Sequence, residues 1–441
     1  MKKILIHFVT FLIQHYFLFV LSIYLYIIRF FRKRMYPTSK KNISFINTHD
    51  QSGGAAKIAY ALSLGIQETY ATRLFVKVKS RSVAWIEQLE NRDYPFIKEL
   101  FRREAIKKGW IEFTGFHILH LLKNPFYVSS SIVHLHNLHG EFFSPGLFNN
   151  VLENKKVIWT LHDESFFTGH CSCTLGCNQW QQGCGQCPDL KIFPPINFDN
   201  TAKVLAQKKK WILKLQPTIV APSNWLADRV RKAYPTLLNL HVIANGVDTQ
   251  IFYPMDKKFA RKQLGFPLEQ PLVLFVAEFS TTNPFKGGEI VRSLIADPEF
   301  EFVQFVTVGG DSSSTFSNHI AFPYVYDEKR LAQLYAACDV LLYPTRADNL
   351  PLVVLESMAC GTPVIASAIG GIPEIISSAE LGFLVEEYWL ENRFKSQLKY
   401  FLTLSKIEKQ NLQTNIVQHI QNNFSLVSMI DSYKSLYASQ N

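Results

Sequence analysis

Residues 343–376, YPTRADNLPLVVLESMACGTPVIASAIGGIPEII, constrain the fold of this chain more than any other stretch. An apolar run that ends at Tyr343 indicates a buried parallel strand, and a polar loop follows it. Pro351 suits the first position of a helix that runs to about Ala359, and Gly361 suits a left-handed residue just past its end. A further strand then leads to Gly370 and the next helix. This alternation predicts half of a doubly wound α/β nucleotide-binding sheet.

The loops of this stretch carry the first candidate site. Ligands of such sheets bind beyond the carboxyl ends of the strands, where the helix after Pro351 points free N–H groups and its positive dipole end. Asp348 lies in the loop before this helix, and Glu356 lies on the helix itself. A carboxylate so placed can accept hydrogen bonds from the vicinal hydroxyls of a ribose. Gly370 and Gly371 let the backbone approach a ligand closely.

The acidic-x7-Glu pattern, with ESMACGTPVIAS and GGIPEII after it, resembles the donor half of the family 4 retaining glycosyltransferases. The resemblance runs from about Asn42 to the C-terminus and implies the GT-B fold, in which two doubly wound Rossmann-like domains face a cleft. It implies an acceptor-side domain over residues 42–254, a donor-binding domain over 255–423 and a last helix, 424–441, that returns to the first domain. Members of the family transfer a sugar from a nucleoside-diphosphate sugar to a hydroxyl acceptor with retention of configuration.

The resemblance also implies roles for individual positions. Glu356 would hold the ribose, Asp348 and the Gly370–Glu374 loop would hold the sugar, and Lys286 would pair with the diphosphate. The implied donor-binding residues are Gly53, Gly54, Lys286, Asn349, Leu350, Glu356, Gly370, Gly371 and Glu374. The residues expected to carry the reaction are His162, Lys286, Asp348 and Glu356.

Two departures from the family pattern concern the donor site. The family usually has glutamate at the position of Asp348, whose shorter side chain has less reach to the sugar. The family also has an arginine shortly before Lys286, where this chain reads EFSTTNPFK. Neutralisation of the diphosphate would therefore depend on Lys286 and the helix N-termini, with Arg346 as an alternative. No Asp-x-Asp motif occurs in the chain, so a metal-bridged diphosphate is not supported and no catalytic cofactor is expected.

The first half of the chain supplies the opposite wall of the expected cleft. Gly53 and Gly54 lie between a predicted strand and a helix, which makes a second anion site, and the resemblance implies a loop that closes over the donor. His162 follows another strand, where the family has a histidine that faces the donor sugar. A neutral imidazole can form a hydrogen bond with a sugar hydroxyl or transfer a proton. The alternative is that His162 only caps its own loop. His134 and His136 are predicted as core or supporting residues, with His136 nearer the cleft.

Five of the seven cysteines lie within residues 170–188, HCSCTLGCNQWQQGCGQCP. A similar insertion occurs in a polysaccharide-assembly branch of the family, of the colanic acid or exopolysaccharide type, where four cysteines correspond and Cys173 has no counterpart. We expect a structural zinc ion, with disulfides or free thiols as alternatives, and four thiolates would leave no open position for catalysis. The expected ligands are Cys171, Cys177, Cys184 and Cys187. Trp180 is predicted to be exposed and to help shape the acceptor site.

Residues 4–28 carry no formal charge, and as a helix they would be about 37 Å long, enough to span a bilayer. The basic residues after this segment outnumber those before it, so the positive-inside rule leaves the body in the cytoplasm. An interfacial helix and a buried soluble helix are the alternatives. Residues 1–41 hold eight basic and no acidic residues, so the rest of the chain is nearly neutral and the net charge of +10 does not indicate nucleic-acid binding. We predict that residues 1–41 form an anchor helix with a basic flank.

These features predict a glycosyltransferase on the cytoplasmic side of the cell inner membrane, with a lipid-linked glycan of surface polysaccharide assembly as acceptor. Two alternatives stay open. Asp348 and the missing arginine favour a non-catalytic, zinc-containing membrane scaffold with a degraded donor site. A GT-B sugar-nucleotide epimerase or hydrolase is the other alternative, but it would have no need of a membrane anchor.

Overall fold

The computed structural model describes residues 41–89, 99, 102–103, 105–107, 109, 115, 117–144, 151–310, 316–386 and 390–440. The predicted anchor over residues 4–28 lies outside these ranges. Among the residues described, no helix combines the length and apolar character that crossing a membrane requires.

The first domain contains a seven-stranded parallel sheet in the order β3-β2-β1-β4-β5-β6-β7. Its strands are β1 (Asn42–His49), β2 (Ala71–Val78), β3 (Ile86–Gln88), β4 (Ile132–Leu135), β5 (Lys156–Thr160), β6 (Thr218–Ala221) and β7 (Leu240–Val242). Its described helices are α1 (Gly54–Gly65), α2 (Ile118–Leu121), α3 (Pro125–Ser129), α4 (Thr201–Leu215) and α5 (Asn224–Ala233).

The second domain contains a six-stranded parallel sheet in the order β10-β9-β8-β11-β12-β13. Its strands are β8 (Leu272–Val276), β9 (Gln304–Val308), β10 (His319–Phe322), β11 (Val340–Tyr343), β12 (Val364–Ser367) and β13 (Phe383–Val385). The described helices from this point onward are α6 (Lys257–Leu264), α7 (Gly288–Ala296), α8 (Glu328–Ala337), α9 (Leu352–Ala359), α10 (Ile372–Ile375), α11 (Glu391–Thr403), α12 (Lys406–Asn423) and α13 (Leu426–Ser439).

Both sheets reverse their strand order at one point, and these points place the site. The central strands are apolar along their whole length because helices cover both faces; every residue of β8, β9 and β11 is buried. In the first sheet the order reverses between β1 and β4, and in the second between β8 and β11. Loops after these strands diverge and leave a crevice at the carboxyl edge of each sheet. The two predicted Rossmann-like domains are therefore confirmed.

The last helix, α13, packs on the first domain although it follows the second in the chain. Met429, Tyr433 and Tyr437 are buried in the same apolar cluster as Phe45 of β1. The hydroxyl of Tyr437 lies 2.6 Å from Nδ1 of His134, and the fully buried ring of His134 confirms its interpretation as a core residue. This contact ties the end of the chain to the first sheet.

The sequence patterns do not reveal the short strand β3 and the short helix α6, which both lie in polar stretches of the chain. The charged sequence of residues 82–108 favours a helix, but β3 lies within this range and extends the sheet beside β2. Helix α6 was not predicted, although Asp256 accepts a hydrogen bond from the Phe259 amide at its start and Gly265 ends it with φ 71°. Pro351 is the residue before α9 and not its first helical residue.

Candidate functional site

A cleft of about 400 Å³ lies between the two domains, at the carboxyl ends of their strands. Its size suits a small-molecule ligand. Both domains contribute polar groups to its walls. The predicted site residues that line it are Gly53, Gly54, His162, Lys286, Asp348, Asn349, Leu350 and Glu356.

One wall of the cleft is organised around the carboxylate of Asp348, just after β11. Its Oδ2 atom accepts hydrogen bonds from Lys286 Nζ at 2.6 Å, from the Tyr343 hydroxyl at 2.6 Å and from Thr345 Oγ1 at 3.0 Å. Burial and the neighbouring Asp348 raise the pKa of Tyr343 well above its ordinary value, so the phenol stays a donor. The three bonds fix Asp348 in one orientation and leave its other oxygen to a ligand.

Glu356 is the second carboxylate of this wall, one turn into α9. Its side chain is almost fully buried, and Oε2 accepts a hydrogen bond from the Tyr335 hydroxyl of α8 at 3.0 Å. Oε1 accepts from Nζ of Lys57, a residue of α1 in the other domain, at 2.7 Å. Nothing near Lys57 in the sequence indicates that it is a site residue, because its partner lies 299 positions away.

Gly370 and Gly371 support the loop before α9 instead of lining the cleft. The Gly371 amide donates to the carbonyl of Asn349 at 2.6 Å. A Cβ added to Gly370, which has φ 62°, would lie 1.9 Å from the carbonyl oxygen of Asp348. Direct contact of these two glycines with the sugar was predicted, but here the close approach is to the backbone that carries Asp348.

Glu374 also departs from its predicted place beside the sugar. Its carboxylate accepts hydrogen bonds from the backbone amides of Asn224 and Trp225, both at 2.8 Å, at the start of α5 in the first domain. These are among the N–H groups that a helix leaves without partners, and they attract negative charge. Ser223 caps the same helix and donates to the side chain of Asn349 at 2.6 Å. Glu374 therefore links the domains beside the cleft.

His162 reaches the cleft from the end of β5. Its Nε2 lies 2.9 Å from Nδ1 of buried His136, and the two rings are stacked. Burial lowers the pKa of His162 to about 4 and holds that of His136 well below its ordinary value. Both rings are neutral at neutral pH, so His162 can exchange hydrogen bonds with a hydroxyl without carrying a charge.

A second polar pair stands beside His162. His139 Nε2 lies 2.9 Å from Asp163 Oδ2, and both residues line the cleft. Burial would raise the pKa of Asp163, but His139 and the bonds from Ser165 lower it to about 2. His139 follows β4 and Asp163 follows β5, and these strands are neighbours in the sheet. Because loops at the carboxyl ends of neighbouring parallel strands meet, the sequence could have predicted this pair.

Arg346 does not supply the missing cationic group of the cleft. Its guanidinium pairs with Glu289 of α7, and half of its side chain is exposed. The described residues that line the cleft include two lysines, Lys57 and Lys286, and no arginine.

The cysteine-rich segment forms a small cavity of about 20 Å³ apart from the cleft. It is lined by Cys171, Cys177, Cys184, Cys187 and His170. His170 Nδ1 bonds the Pro194 carbonyl at 3.0 Å, which leaves Nε2 3.4 Å from Cys187 Sγ. Burial raises the pKa of Cys171 to about 12, and it also raises those of Cys184 and Cys187. The donor types suit zinc, but in the described part of the chain no three such side chains lie close enough to hold a metal ion.

Trp180 is buried, which corrects the prediction that it is exposed. Only 1% of it is accessible, and its ring centroid lies 4.8 Å from that of Phe167. The guanidinium of Arg229 lies 4.8 Å from the indole. Trp180 is therefore the apolar anchor of the cysteine-rich segment and does not form a wall for an acceptor.

Residues 256–419 match the protein family described as Glycosyl transferases group 1. WcaC of Escherichia coli (strain K12), named as a colanic acid biosynthesis glycosyl transferase, is 28% identical over 260 residues, or 56% of this chain and 62% of WcaC. The D-inositol 3-phosphate glycosyltransferase of Mycobacterium avium (strain 104) is 32% identical over 161 residues, or 33% of this chain and 37% of that protein. The chain thus matches less than two thirds of the length of either relative.

Solved structures resemble the chain over nearly its whole length. Sucrose-phosphate synthase from Thermosynechococcus elongatus superposes with a TM-score of 0.67 at 19% identity and covers 91% of this chain and 99% of its own. Anabaena Alr3699/HepE in complex with UDP-glucose gives a TM-score of 0.60 at 15% identity, with 90% and 99% covered. At these identities the likeness shows a shared fold.

Proposed function

We propose that this chain, whose residues 256–419 match the group 1 glycosyl transferases, is a retaining glycosyltransferase that uses a nucleoside-diphosphate sugar. The observation that carries the proposal is the arrangement of Asp348, Glu356 and Lys286 on one wall of a cleft between two parallel sheets of Rossmann-like order. Carboxylates recognise the hydroxyls of ribose and sugar, and the lysine recognises the diphosphate.

In the proposed mechanism, the main task of the protein is to stabilise the diphosphate as it leaves. Lys286 and the N-termini of α1 and α9 point at the same cleft, and their positive ends favour the negative charge that develops there. The bond that breaks joins the sugar carbon to a diphosphate oxygen, and the new bond joins the same carbon to the acceptor oxygen. The proton of the acceptor hydroxyl passes to an oxygen of the departing diphosphate. Glu356 holds the ribose, and the free oxygen of Asp348 accepts from a sugar hydroxyl.

His162 would bind the sugar from the opposite domain. Its ring is neutral because of burial, so it can accept or donate one hydrogen bond without attracting the diphosphate away from Lys286. The bond to His136 holds the plane of the ring. His162 thus positions the sugar between the domains.

We propose a lipid-linked glycan as the acceptor and the inner membrane as the location, with the catalytic body on the cytoplasmic side. The uncharged segment 4–28 with its basic flank supports this proposal, and so does the similarity to WcaC, which is named for colanic acid biosynthesis. Full-length protein should sediment with membranes, and a variant without residues 2–40 should not. Full-length protein that remains in the supernatant would contradict the anchor.

The donor site can be tested by thermal shift and nucleotide release with UDP-, GDP- and ADP-sugars. UDP-glucose is tested first because the similar fold of HepE binds it. One donor should stabilise the wild type and leave Glu356→Ala unaffected, since the alanine variant lacks the ribose acceptor. If a folded protein responds to no donor, the scaffold alternative is favoured instead.

We also propose a structural zinc ion at Cys171, Cys177, Cys184 and Cys187. The Cys-x2-Cys spacing and the shared cavity support it, although the thiols would have to move closer together to bind. Purified protein should contain close to one zinc per chain, and Cys184→Ser should lose it. Cys173→Ser is the control and should keep the metal. Wild-type protein without zinc would contradict this proposal.

A further inference from the structure

The charges in the cleft do not suit a diphosphate as they stand. Among the described residues, two lysines, Lys57 and Lys286, line the cleft together with four carboxylates. The carboxylates are Asp163, Glu278, Asp348 and Glu356. Each lysine is already paired with one of them, Lys57 with Glu356 and Lys286 with Asp348. An anionic ligand can therefore bind well only if it takes over these ion pairs.

Lys57 occupies the cleft side of Glu356. It lies in the first turn of α1, four residues after Gly53, and its Nζ atom is 2.7 Å from Glu356 Oε1 and 3.7 Å from Glu328 Oε1. Tyr335 approaches Glu356 from the opposite, fully buried side. Burial acts to lower the pKa of Lys57, but the pairing with Glu356 raises it overall, so the ammonium stays charged. A ribose that reaches Glu356 from the cleft must meet Lys57 first.

We propose that Lys57 is a second diphosphate-binding cation, supplied by the domain opposite Lys286, and that the nucleotide releases it from Glu356. The inference rests on the proposed function. The ribose hydroxyls replace the ammonium at Oε1 of Glu356, and the ammonium turns on its flexible four-carbon stem to the phosphates. No covalent bond changes in this exchange. Since Gly53 and Gly54 line the same cleft one turn away, the phosphates would lie within the reach of Lys57.

This exchange of Lys57 from Glu356 to the phosphates would explain both the charge of the cleft and the position of Lys57. Residues 278–286, EFSTTNPFK, contain no arginine before Lys286, and Glu278 of this segment lines the cleft, so a further cation is needed. Because Lys57 and Lys286 belong to different domains, a diphosphate between them would also join the domains. The ion pair with Glu356 would keep Lys57 charged and in place while the cleft is empty.

The test compares dissociation constants of the diphosphate and of the nucleoside for each variant. The probes are three pairs of diphosphate and nucleoside: UDP and uridine, GDP and guanosine, and ADP and adenosine. Their dissociation constants are measured by calorimetry or by competition. Lys57→Met should weaken diphosphate binding about 10- to 100-fold, as expected for loss of a charged hydrogen bond, and should leave nucleoside binding equal or tighter. Lys57→Arg should recover most of the loss.

Lys257→Met is the matched control, because Lys257 forms an ion pair of the same length, 2.7 Å, with Asp339 outside the cleft. It should change neither constant. Lys57→Met leaves the carboxylate of Glu356 buried without its partner, which lowers the stability of the protein. A second comparison removes this charge: it measures diphosphate binding by Glu356→Gln and by the double variant Lys57→Met/Glu356→Gln. The double variant should again bind the diphosphate at least 10-fold more weakly.

The outcomes separate this inference from the proposed function. If wild-type protein binds no nucleoside diphosphate, the proposed function itself fails, and the inference fails with it. If the wild type binds one and Lys57→Met binds it equally or more tightly, Lys57 only covers Glu356 and the inference is wrong. Equal weakening of the nucleoside and the diphosphate would also overturn it.

Discussion

Gly370→Ala should damage the donor site through the backbone alone. Gly370 has φ 62°, a conformation that costs an alanine about 1–2 kcal/mol. The added Cβ would lie 1.9 Å from the carbonyl oxygen of Asp348, and such overpacking costs about a further 1–3 kcal/mol. We expect the free energy of unfolding to fall by about 2–5 kcal/mol. The loop must move, and Asp348 would then lose its place beside Lys286.

Gly265→Ala provides the matched control for this prediction. Gly265 has φ 71°, but a Cβ there meets no atom within 4 Å. The control variant should lose only the conformational part, about 1–2 kcal/mol. Urea unfolding gives the stabilities, and a thermal-shift titration with the preferred nucleotide sugar gives the binding. If Gly370→Ala matches Gly265→Ala in stability and still binds the donor, the contact with Asp348 does not hold the site together.

Three further predictions concern a cap, a pH dependence and a buried indole. Glu374→Ala should lower the free energy of unfolding by about 1–2 kcal/mol, since the start of α5 loses its anionic partner; an unchanged urea midpoint would refute this. In the folded protein, burial lowers the pKa of His162 from 6.5 to about 4. As the pH falls from 6.5 to 4, the unfolded chain therefore binds a proton at this residue before the folded protein does, and the folded protein loses stability. The melting temperature of wild-type protein should fall more steeply over that range than that of His162→Asn, and parallel curves would contradict the buried neutral ring. Trp180→Ala should cost about 3–5 kcal/mol because the indole is buried, and a loss below 1 kcal/mol or so in urea unfolding would favour the exposed position.

The parts of the fold that depend on local patterns were predictable from the sequence. The apolar run Leu272–Val276 indicates a buried strand from sequence alone and forms β8, because a strand covered on both faces must be apolar throughout. Asp348 and Glu356 lie in the expected loop and helix, since both elements are specified by residues close to them in the chain. The sequence Pro222-Ser223-Asn224 favours a helix start, and the hydroxyl of Ser223 caps α5.

Contacts between distant parts of the chain were not predictable from one sequence. Lys57 meets Glu356 only because the two sheets face each other, and nothing near Lys57 in the chain indicates this. Glu374 was interpreted through its neighbours Gly370 and Gly371, whereas its partner is the start of a helix in the other domain. The position of Trp180 follows from its contacts with Phe167 and Arg229, which pattern and spacing do not reveal.

The central claim is that the chain moves a sugar from a nucleotide donor to an acceptor. The most direct measurement is transfer of radiolabelled sugar from UDP-, GDP- and ADP-sugars to a lipid extract of the native membranes, with release of the nucleoside diphosphate followed in the same reaction. We predict that one donor gives labelled lipid, that release depends on the extract, and that Glu356→Ala abolishes both. Folded protein that binds a donor but neither labels lipid nor releases nucleotide with any extract would contradict the claim.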